Sequence, residues 1–158
     1  MLCDDEKNHT RYMREALDEA HIAFSAEEVP VGAVIVYNRI VIARNHNRVE
    51  EKKDCTAHAE ILCIRQAMQV IGDWRLTGAT LYTTLEPCSM CAGAILLSRI
   101  PMIVWGAPDI RYGASGSQVD LFSTFYSVHK VKIIRNICGF ESSQLLKNFF
   151  YDKRARSI

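Results

Sequence analysis

The chain of 158 residues is long enough to bury a hydrophobic core and has the size of one domain. Hydrophobic residues make up 49% of the sequence and charged residues 23%, which are ordinary values for a soluble globular protein. The acidic N-terminus and the lack of an apolar run of ~20 residues argue against a secretory signal and a membrane span, and the net charge of +1 gives no general affinity for nucleic acid. We therefore expect one cytoplasmic domain over residues 1–158, with its core at about 10–152.

The first half of the chain predicts two helices separated by a hairpin. Apolar residues of the first segment recur at three-to-four spacing, as on one face of a helix, whereas the run from Val29 to Val36 is continuously apolar, as in a buried strand. Gly32 within that run suggests that another segment approaches it closely. The predicted elements are a helix at 8–25, strands at 29–36 and 40–43, a polar surface loop at 44–55 and a helix at 57–71.

The second half alternates strands and helices. β-branched and aromatic residues predict its strands, and Pro108, Gly113 and Gly116 interrupt any regular element between two of them. The predicted elements are strands at 80–85, 102–105 and 131–134, helices at 88–98 and 142–154, a loop at 106–116 and a short helix at 119–125. The complete order of elements favours an α/β fold, a three-layer α/β/α sandwich around a mixed five-stranded sheet.

Three potential metal ligands stand in the two central segments. His58 lies at the start of a predicted helix, and Cys88 and Cys91 are one helical turn apart at the start of another. Zn²⁺ takes imidazole and thiolate ligands, and a site with three protein ligands keeps a fourth position open for water, as catalytic zinc sites do. Glu60, two residues after His58, is placed to transfer that water's protons. The pattern predicts one catalytic zinc ion per subunit.

Local geometry decides whether these residues can share a site. Residues two apart on a regular helix point to different sides, so His58 and Glu60 can converge only where the helix begins. Pro87 fits the first position of the next helix, whose free N–H groups and positive dipole end favour the thiolate form of Cys88. We therefore expect both helix N-termini at the sheet edge where open α/β folds bind ligands.

A structural zinc site is an alternative interpretation. Cys55 could supply a fourth ligand, and Cys63 is a poorer candidate. The chain would then be a zinc-stabilised binding module without catalysis, which leaves Glu60 and Pro87 unexplained. The cysteines outside the C-x-x-C motif show no paired spacing, which favours free thiols in an intracellular compartment.

The zinc motif and its flanking strings carry a family resemblance. The pattern H-x-E followed by P-C-x-x-C is typical of zinc-dependent nucleobase deaminases. The strings that resemble the bacterial tRNA-specific adenosine deaminases, of the cytidine deaminase-like superfamily, are EVPVGA at 28–33, TAHAEI at 56–61, LEPCSMCAGA at 85–94, SRI at 98–100 and the loop at 106–117. The resemblance runs in order over about 10–152, although Cys55 and Pro108 depart from the family pattern.

The resemblance implies an activity and assigns roles. Such enzymes hydrolytically deaminate adenosine to inosine at wobble position 34 of tRNA, most often in the arginine tRNA with anticodon ACG. The resemblance implies a zinc ion held by His58, Cys88 and Cys91, with Glu60 as the catalytic proton shuttle. It also implies a homodimer in which both subunits reach the tRNA anticodon stem-loop.

Substrate contacts are expected on several segments. The resemblance matches Asn47 to a base-contacting asparagine and Asp109 to a loop aspartate near the bound anticodon. The last helix interleaves aromatic and basic residues, which suits base stacking and phosphate contact, although its aromatics could instead pack on the sheet and leave only the last basic residues free. The expected substrate-binding residues are Val31, Asn47, Ala59, Asp109, Phe149, Lys153 and Arg154.

The zinc chemistry alone does not choose the substrate. Deamination of free guanine, free cytosine or a nucleoside such as cytidine would need the same metal and the same proton shuttle. The flanking strings and the basic end of the chain favour RNA. We therefore expect a tRNA adenosine deaminase, with a deaminase of small molecules as the alternative.

Overall fold

The middle layer of the fold is a mixed sheet. The computed structural model describes residues 2–123 and 129–156. Its strands are β1 (Gly32–Tyr37), β2 (Ile40–His46), β3 (Ala79–Leu85), β4 (Met102–Ala107) and β5 (Lys132–Ile134). They form a 5-stranded sheet in the order β2-β1-β3-β4-β5. Because β1 is antiparallel to both β2 and β3 whereas β3, β4 and β5 are parallel, the sheet is mixed, as predicted.

Helices cover both faces of this sheet. They are α1 (Leu2–Ser25), α2 (Val49–Lys52), α3 (Ala59–Ile71), α4 (Ser89–Leu97) and α5 (Gly139–Arg156). α1 and α5 pack on one face, and α3 and α4 pack on the other. The predicted three-layer α/β/α sandwich is therefore confirmed. Among the described helices, none combines the length and the apolar composition needed to cross a membrane.

The two hydrophobic cores follow from the alternation of side chains along the strands. The core beneath α1 contains every second strand residue: Val34, Val36, Tyr82 and Val104. The core beneath α3 and α4 contains the strand residues between them: Ala33, Ile35, Leu81 and Ile103. Successive residues of a strand face opposite sides of the sheet, so a sheet covered on both faces needs continuously apolar strands. This requirement explains the apolar runs that predicted β1 and β4.

In the hairpin, β2 extends further than predicted, whereas β1 begins at Gly32 rather than at residue 29. Asn38 and Arg39 have φ values of 50° and 65° and form a two-residue turn of the kind that matches the strand twist. β2 continues to His46, so residues 44–46 are strand rather than loop, and α2 adds a helical turn inside the predicted loop. Neighbouring helices hold the polar side chains at this end of β2, through the pairs Arg44–Glu15, Asn45–Gln66 and His46–Glu19.

α1 approaches the start of β1 closely. A Cβ atom at Gly32 would lie 2.0 Å from the carbonyl oxygen of Ala16 and 2.5 Å from the backbone nitrogen of Ala20. The close approach expected at Gly32 is therefore confirmed, and a side chain here would push α1 away from the sheet.

Some predicted boundaries were wrong. α1 begins before residue 8 and α5 begins before residue 142, so both helices are longer than their apolar stripes indicated. The predicted helix at 119–125 is not found at 119–123, where Asp120 instead forms a β-bridge with Ser115, and residues 124–125 lie outside the described part of the chain.

Candidate active site

His58, Cys88 and Cys91 come together at one end of the sheet. The Nδ1 atom of His58 lies 3.7 Å from the sulfur of Cys88 and 3.6 Å from the sulfur of Cys91, and the three ligand atoms lie within 4.8 Å of one another. A tetrahedral zinc ion with bonds of about 2.3 Å to sulfur and about 2.0 Å to nitrogen separates such atoms by roughly 3.5 Å. The donor set therefore fits zinc. Cys55 is exposed and lies outside this group, which weakens its candidacy as a fourth ligand.

Two helix starts position these ligands. α3 begins at Ala59, and His58 precedes it in an extended conformation, so His58 and Glu60 meet at the N-terminal end, as predicted. α4 begins at Ser89 with Cys88 as its N-cap. The expectation that Pro87 opens this helix was wrong. Pro87 lies before the N-cap, where its carbonyl accepts a hydrogen bond from the backbone of Ala114 at 2.8 Å.

The thiols of Cys88 and Cys91 share a hydrogen bond, which favours the thiolate form of one of them. A hydrogen bond with Cys91 lowers the pKa of Cys88 to about 4, with the His58 imidazole acting in the same direction. That hydrogen bond and burial raise the pKa of Cys91. The lowered pKa favours the thiolate form of Cys88, and thiolate is the form that binds zinc. A bound metal would displace the proton of Cys91, so that its sulfur could also act as a ligand.

Glu60 is a buried carboxyl beside the candidate metal ligands. Its side chain is only 3% exposed, and burial raises its pKa. The hydroxyl of Thr83 on β3 lies 3.3 Å from its Oε1 atom and donates to it. A raised pKa makes a carboxylate a better proton acceptor, which suits a proton shuttle.

A cavity of about 1220 Å³ opens onto this group. We call the part of its lining formed by His58, Glu60 and Cys88 the cavity floor. The expected substrate-binding residues that line the cavity are Val31, Asn47, Ala59, Asp109, Phe149 and Lys153. Arg154 is exposed and lies outside this lining.

Comparison with known proteins identifies the family. Residues 7–154 match the family model of the MafB19-like deaminases. The tRNA-specific adenosine deaminase of Bacillus subtilis is 44% identical over 145 residues, which cover 92% of this chain and 90% of that protein. The chain belongs to the tRNA-specific adenosine deaminase family.

Other matches to this deaminase family differ in how much of each protein they span. A chloroplastic tRNA(adenine(34)) deaminase of Arabidopsis thaliana is 56% identical over 111 residues, which are 70% of this chain but only 8% of that protein. A solved structure from work on A-to-I editing by tRNA:A34 deaminases at the wobble position has 46% sequence identity and a TM-score of 0.84. That match covers 87% of this chain and 99% of the solved chain.

Asn47 presents an unpaired acceptor in this deaminase cavity. The residue is 7% exposed, and its Nδ2 atom lies 3.5 Å from the carboxylate of Glu28. Its Oδ1 atom is buried and has no hydrogen-bond partner among the described residues. A buried, unpaired acceptor is costly, so Asn47 is poised to accept a hydrogen bond from a bound ligand.

Part of the cavity lining is exposed and carries charge. We call it the cavity rim and define it by five lining residues: Glu27, Arg111, Tyr112, Phe150 and Lys153. The Lys153 ammonium lies 3.7 Å from the Glu27 carboxylate, which also pairs with Arg156. Phe149 is buried against Phe24, whereas Phe150 is 46% exposed. The aromatics of α5 therefore divide between packing and exposure, and Arg156 is paired rather than free.

Sequence reasoning missed three polar residues that support the site. Thr83 contacts Glu60, and Glu28 and Glu86 are buried carboxylates at the cavity lining. Glu28 accepts hydrogen bonds from the backbone of Glu50 and Glu51 at the start of α2. The one sequence signal for these residues is that Glu86 directly precedes the P-C-x-x-C motif. That position hints at a role near the site, but it does not reveal which residues Glu86 binds.

Proposed function

We propose that the protein hydrolytically deaminates adenosine to inosine at wobble position 34 of tRNA, in the arginine tRNA with anticodon ACG. One observation carries the proposal: Glu60 and two candidate zinc ligands share one cavity with the unpaired acceptor of Asn47. A cavity that joins proton transfer to base recognition suits a nucleobase deaminase. The relatives named above are tRNA adenosine deaminases, which supports this substrate.

Zinc is the cofactor we propose, with one ion per subunit. His58, Cys88 and Cys91 would hold it, because their three ligand atoms have the identity and spacing of a tetrahedral zinc site. When bound, the metal supplies a Lewis acid that makes water a better nucleophile and stabilises negative charge on oxygen. The two thiolates lower the net charge of such a site, so a nearby base is needed to take the proton from water.

Glu60 is the proton shuttle in this mechanism. Its carboxylate accepts a proton from the attacking water and delivers it to N1 of the adenine as the oxygen adds at C6. Glu60 then takes the second proton from the hydroxyl now attached to C6 and transfers it to the departing amine, so that adenosine and water give inosine and ammonia. Burial raises the pKa of Glu60, which favours its protonated form between the two proton transfers. The hydroxyl of Thr83 contacts one of its carboxyl oxygens.

Asn47 and the neighbouring lining residues orient the base. The Oδ1 atom of Asn47 accepts a hydrogen bond from the bound nucleotide, which pairs an acceptor that is otherwise buried without a partner. Val31 and Ala59 are buried apolar residues of the same lining, so they exclude water from the faces of the base. A base that is hydrogen-bonded in place and shielded from water meets the Glu60 carboxyl in a fixed orientation.

The size and the rim of the cavity favour RNA over a free base or nucleoside. Small-molecule pockets usually enclose about 300–1000 Å³, and this cavity is larger, at about 1220 Å³. Its rim offers the exposed rings of Tyr112 and Phe150 for stacking, with Arg111 and Lys153 beside them for phosphate contact. An anticodon loop is single-stranded, so its bases enter without the cost of unpairing.

The protein works as a homodimer in this proposal. Val70 on α3 and Leu97 on α4 are 58% and 76% exposed, and exposed apolar side chains on neighbouring helices suit a subunit interface. Each subunit is one deaminase domain over residues 1–158, with its core at about 10–152. A tRNA substrate requires a compartment that contains tRNA, which agrees with the predicted cytoplasmic location.

The test is single-turnover conversion of an ACG anticodon stem-loop by the zinc-loaded protein. Inosine should form only at the wobble adenosine, whereas free adenosine, cytidine and guanine should remain unchanged. A stem-loop with guanosine at the wobble position is the matched control. Deamination of a small molecule beside an inert stem-loop would overturn the tRNA assignment, and inertness toward all substrates would favour the zinc-stabilised binding module.

A further inference from the structure

Glu86 is a buried carboxylate in the cavity lining that binds the loop after β4. It is 1% exposed and lies between the end of β3 and the Cys88 turn. Its Oε2 atom accepts a hydrogen bond from the backbone N–H of Asp109 at 3.0 Å. Its Oε1 atom accepts from the backbone N–H groups of Ser115 and Ser117 at 3.0 and 3.1 Å, and the Ser117 hydroxyl also donates to Oε2. One side chain therefore binds both ends of loop 109–117.

The backbone completes this connection. Cys88 forms a β-bridge with Gly113, and the backbone N–H of Ala114 donates to the carbonyl of Pro87 at 2.8 Å. A Cβ atom at Gly113 would lie 2.4 Å from the Glu86 carboxylate, so only glycine fits there. Loop 109–117 is thus packed directly on the turn that carries a candidate zinc ligand.

The hydrogen bonds continue from Asp109 to the cavity rim. The Oδ1 atom of Asp109 accepts hydrogen bonds from the backbone N–H groups of Arg111 at 2.9 Å and Tyr112 at 3.1 Å. Arg111 and Tyr112 are exposed rim residues, and neither contacts Glu86 through its own N–H. Displacement of the Asp109 backbone would therefore move both rim side chains.

We propose that Glu86 is a positioning residue for RNA recognition. By fixing the Asp109 backbone it holds Arg111 and Tyr112 where the anticodon loop meets the cavity. The inference rests on the proposed function for its substrate and on the hydrogen bonds of Glu86 for its physical basis. Glu86 acts through loop 109–117 and takes no part in proton transfer, so its loss should affect RNA affinity more than the chemical step.

The chemistry of the side chain explains why glutamate is required. A carboxylate has two acceptor oxygens and can accept four hydrogen bonds, which is the number that Glu86 receives. In Glu86→Gln the amide oxygen can keep Ser115 and Ser117, but the NH₂ group then faces the N–H of Asp109. Two donors repel each other, so this isosteric change releases the Asp109 end of the loop first.

The experiment compares Glu86→Gln with the wild-type protein, both loaded with zinc. Amide hydrogen exchange across 109–117 should be faster in the variant, whereas exchange across 58–64 and zinc content should be unchanged. The half-saturating concentration of ACG stem-loop should rise about tenfold, with the single-turnover rate at saturation kept within about threefold. Ser117→Ala removes one of the four hydrogen bonds, so it should show the same changes at a smaller amplitude.

Several results would overturn the inference. Unchanged exchange in 109–117, or unchanged half-saturation, would show that Glu86 does not position the rim. Loss of zinc together with loss of the saturated rate would show that Glu86 supports the Cys88 turn instead. If Glu86→Gln does not fold, Ser117→Ala decides by the same measurements. A wild-type protein inert toward the stem-loop would overturn the proposed function, and the exchange measurement would still decide whether Glu86 holds the loop.

Discussion

The floor and the rim of the same cavity differ in solvent exposure, and therefore in how strongly their charges interact. The floor joins the buried carboxyl of Glu60 to ligands at two helix starts, each held against the sheet. The rim consists of exposed side chains. In its Glu27–Lys153 pair, 61% of the Glu27 side chain and 46% of the Lys153 side chain are accessible to solvent. Charges interact strongly in the low dielectric of a buried site, whereas exposed charges are screened by water and salt. Changes in the floor should therefore abolish the reaction, and changes in the rim should adjust affinity.

The largest effect is expected from loss of a zinc ligand. Cys88→Ala should reduce zinc content from one ion per chain to almost none and lower the single-turnover rate by at least about 10⁴-fold, because the Lewis acid is lost. Zinc is measured by elemental analysis of the purified protein. Cys55→Ala is the matched control, since Cys55 is exposed and lies outside the ligand group. A fall in zinc content in that control would revive the structural-zinc interpretation.

Glu60→Gln should have the next largest effect. The amide keeps the shape of the side chain but cannot accept a proton, so the single-turnover rate at saturating stem-loop should fall by about 10²- to 10⁴-fold. Zinc content and stem-loop affinity should stay close to those of the wild-type protein, which separates this variant from a ligand loss. A rate within a few fold of the wild type would mean that another group carries the proton.

Asn47→Ala connects the floor to substrate recognition. Loss of its unpaired Oδ1 acceptor should lower kcat/KM for the stem-loop by about 10- to 100-fold, in line with a lost buried hydrogen bond. Asn45→Ala is the matched control, because the Asn45 amide donates to Gln66 at 2.7 Å and lies outside the cavity lining. Equal effects of the two substitutions would indicate general damage to β2 and its following loop rather than a lost base contact.

The smallest effect is expected at the rim, where loss of one carboxylate should strengthen stem-loop binding instead of weakening it. Glu27 pairs with Lys153 and Arg156, so its carboxylate competes with RNA phosphate for these cations. Glu27→Gln should tighten stem-loop binding by about two- to threefold at low salt, because exposed ion pairs are weak. Lys153→Ala should weaken it.

The matched control for the rim is Glu15→Gln. Glu15 forms an exposed ion pair with Arg44 at 2.9 Å, outside the cavity lining. Stem-loop affinity, measured by titration at two salt concentrations, should not change in this variant. A similar gain at both glutamates would mean that overall charge, rather than the Glu27 pair, sets the affinity.

Residues close in sequence account for the parts of the site that were predicted. The spacing of Cys88 and Cys91 spans one helical turn, and His58 and Glu60 converge because the helix begins between them. These relations depend on backbone geometry over a few residues, so they are visible before the fold is known. The roles of these residues in catalysis stay predictions until the substitutions are made.

Polar residues whose partners are distant in sequence could not be predicted. The polar residues at 44–46 suggested a surface loop, yet they extend β2 because side chains of α1 and α3 bind them. Thr83 meets Glu60 across 23 residues, and Arg156 meets Glu27 across 129. Composition alone cannot distinguish a solvated polar residue from one held by a distant partner.

The sequence by itself predicted the main helices and strands, the mixed sheet and the grouping of His58, Cys88 and Cys91, but it missed α2. Apolar periodicity and motif spacing depend on residues close together in the chain, so they can be recognised before the fold is known. Only the tertiary structure decided that Glu86 binds loop 109–117 and that Asn47 keeps an unpaired acceptor at the cavity. Both facts depend on which buried polar groups meet when separate segments pack, because each such group must find its partners in the folded chain.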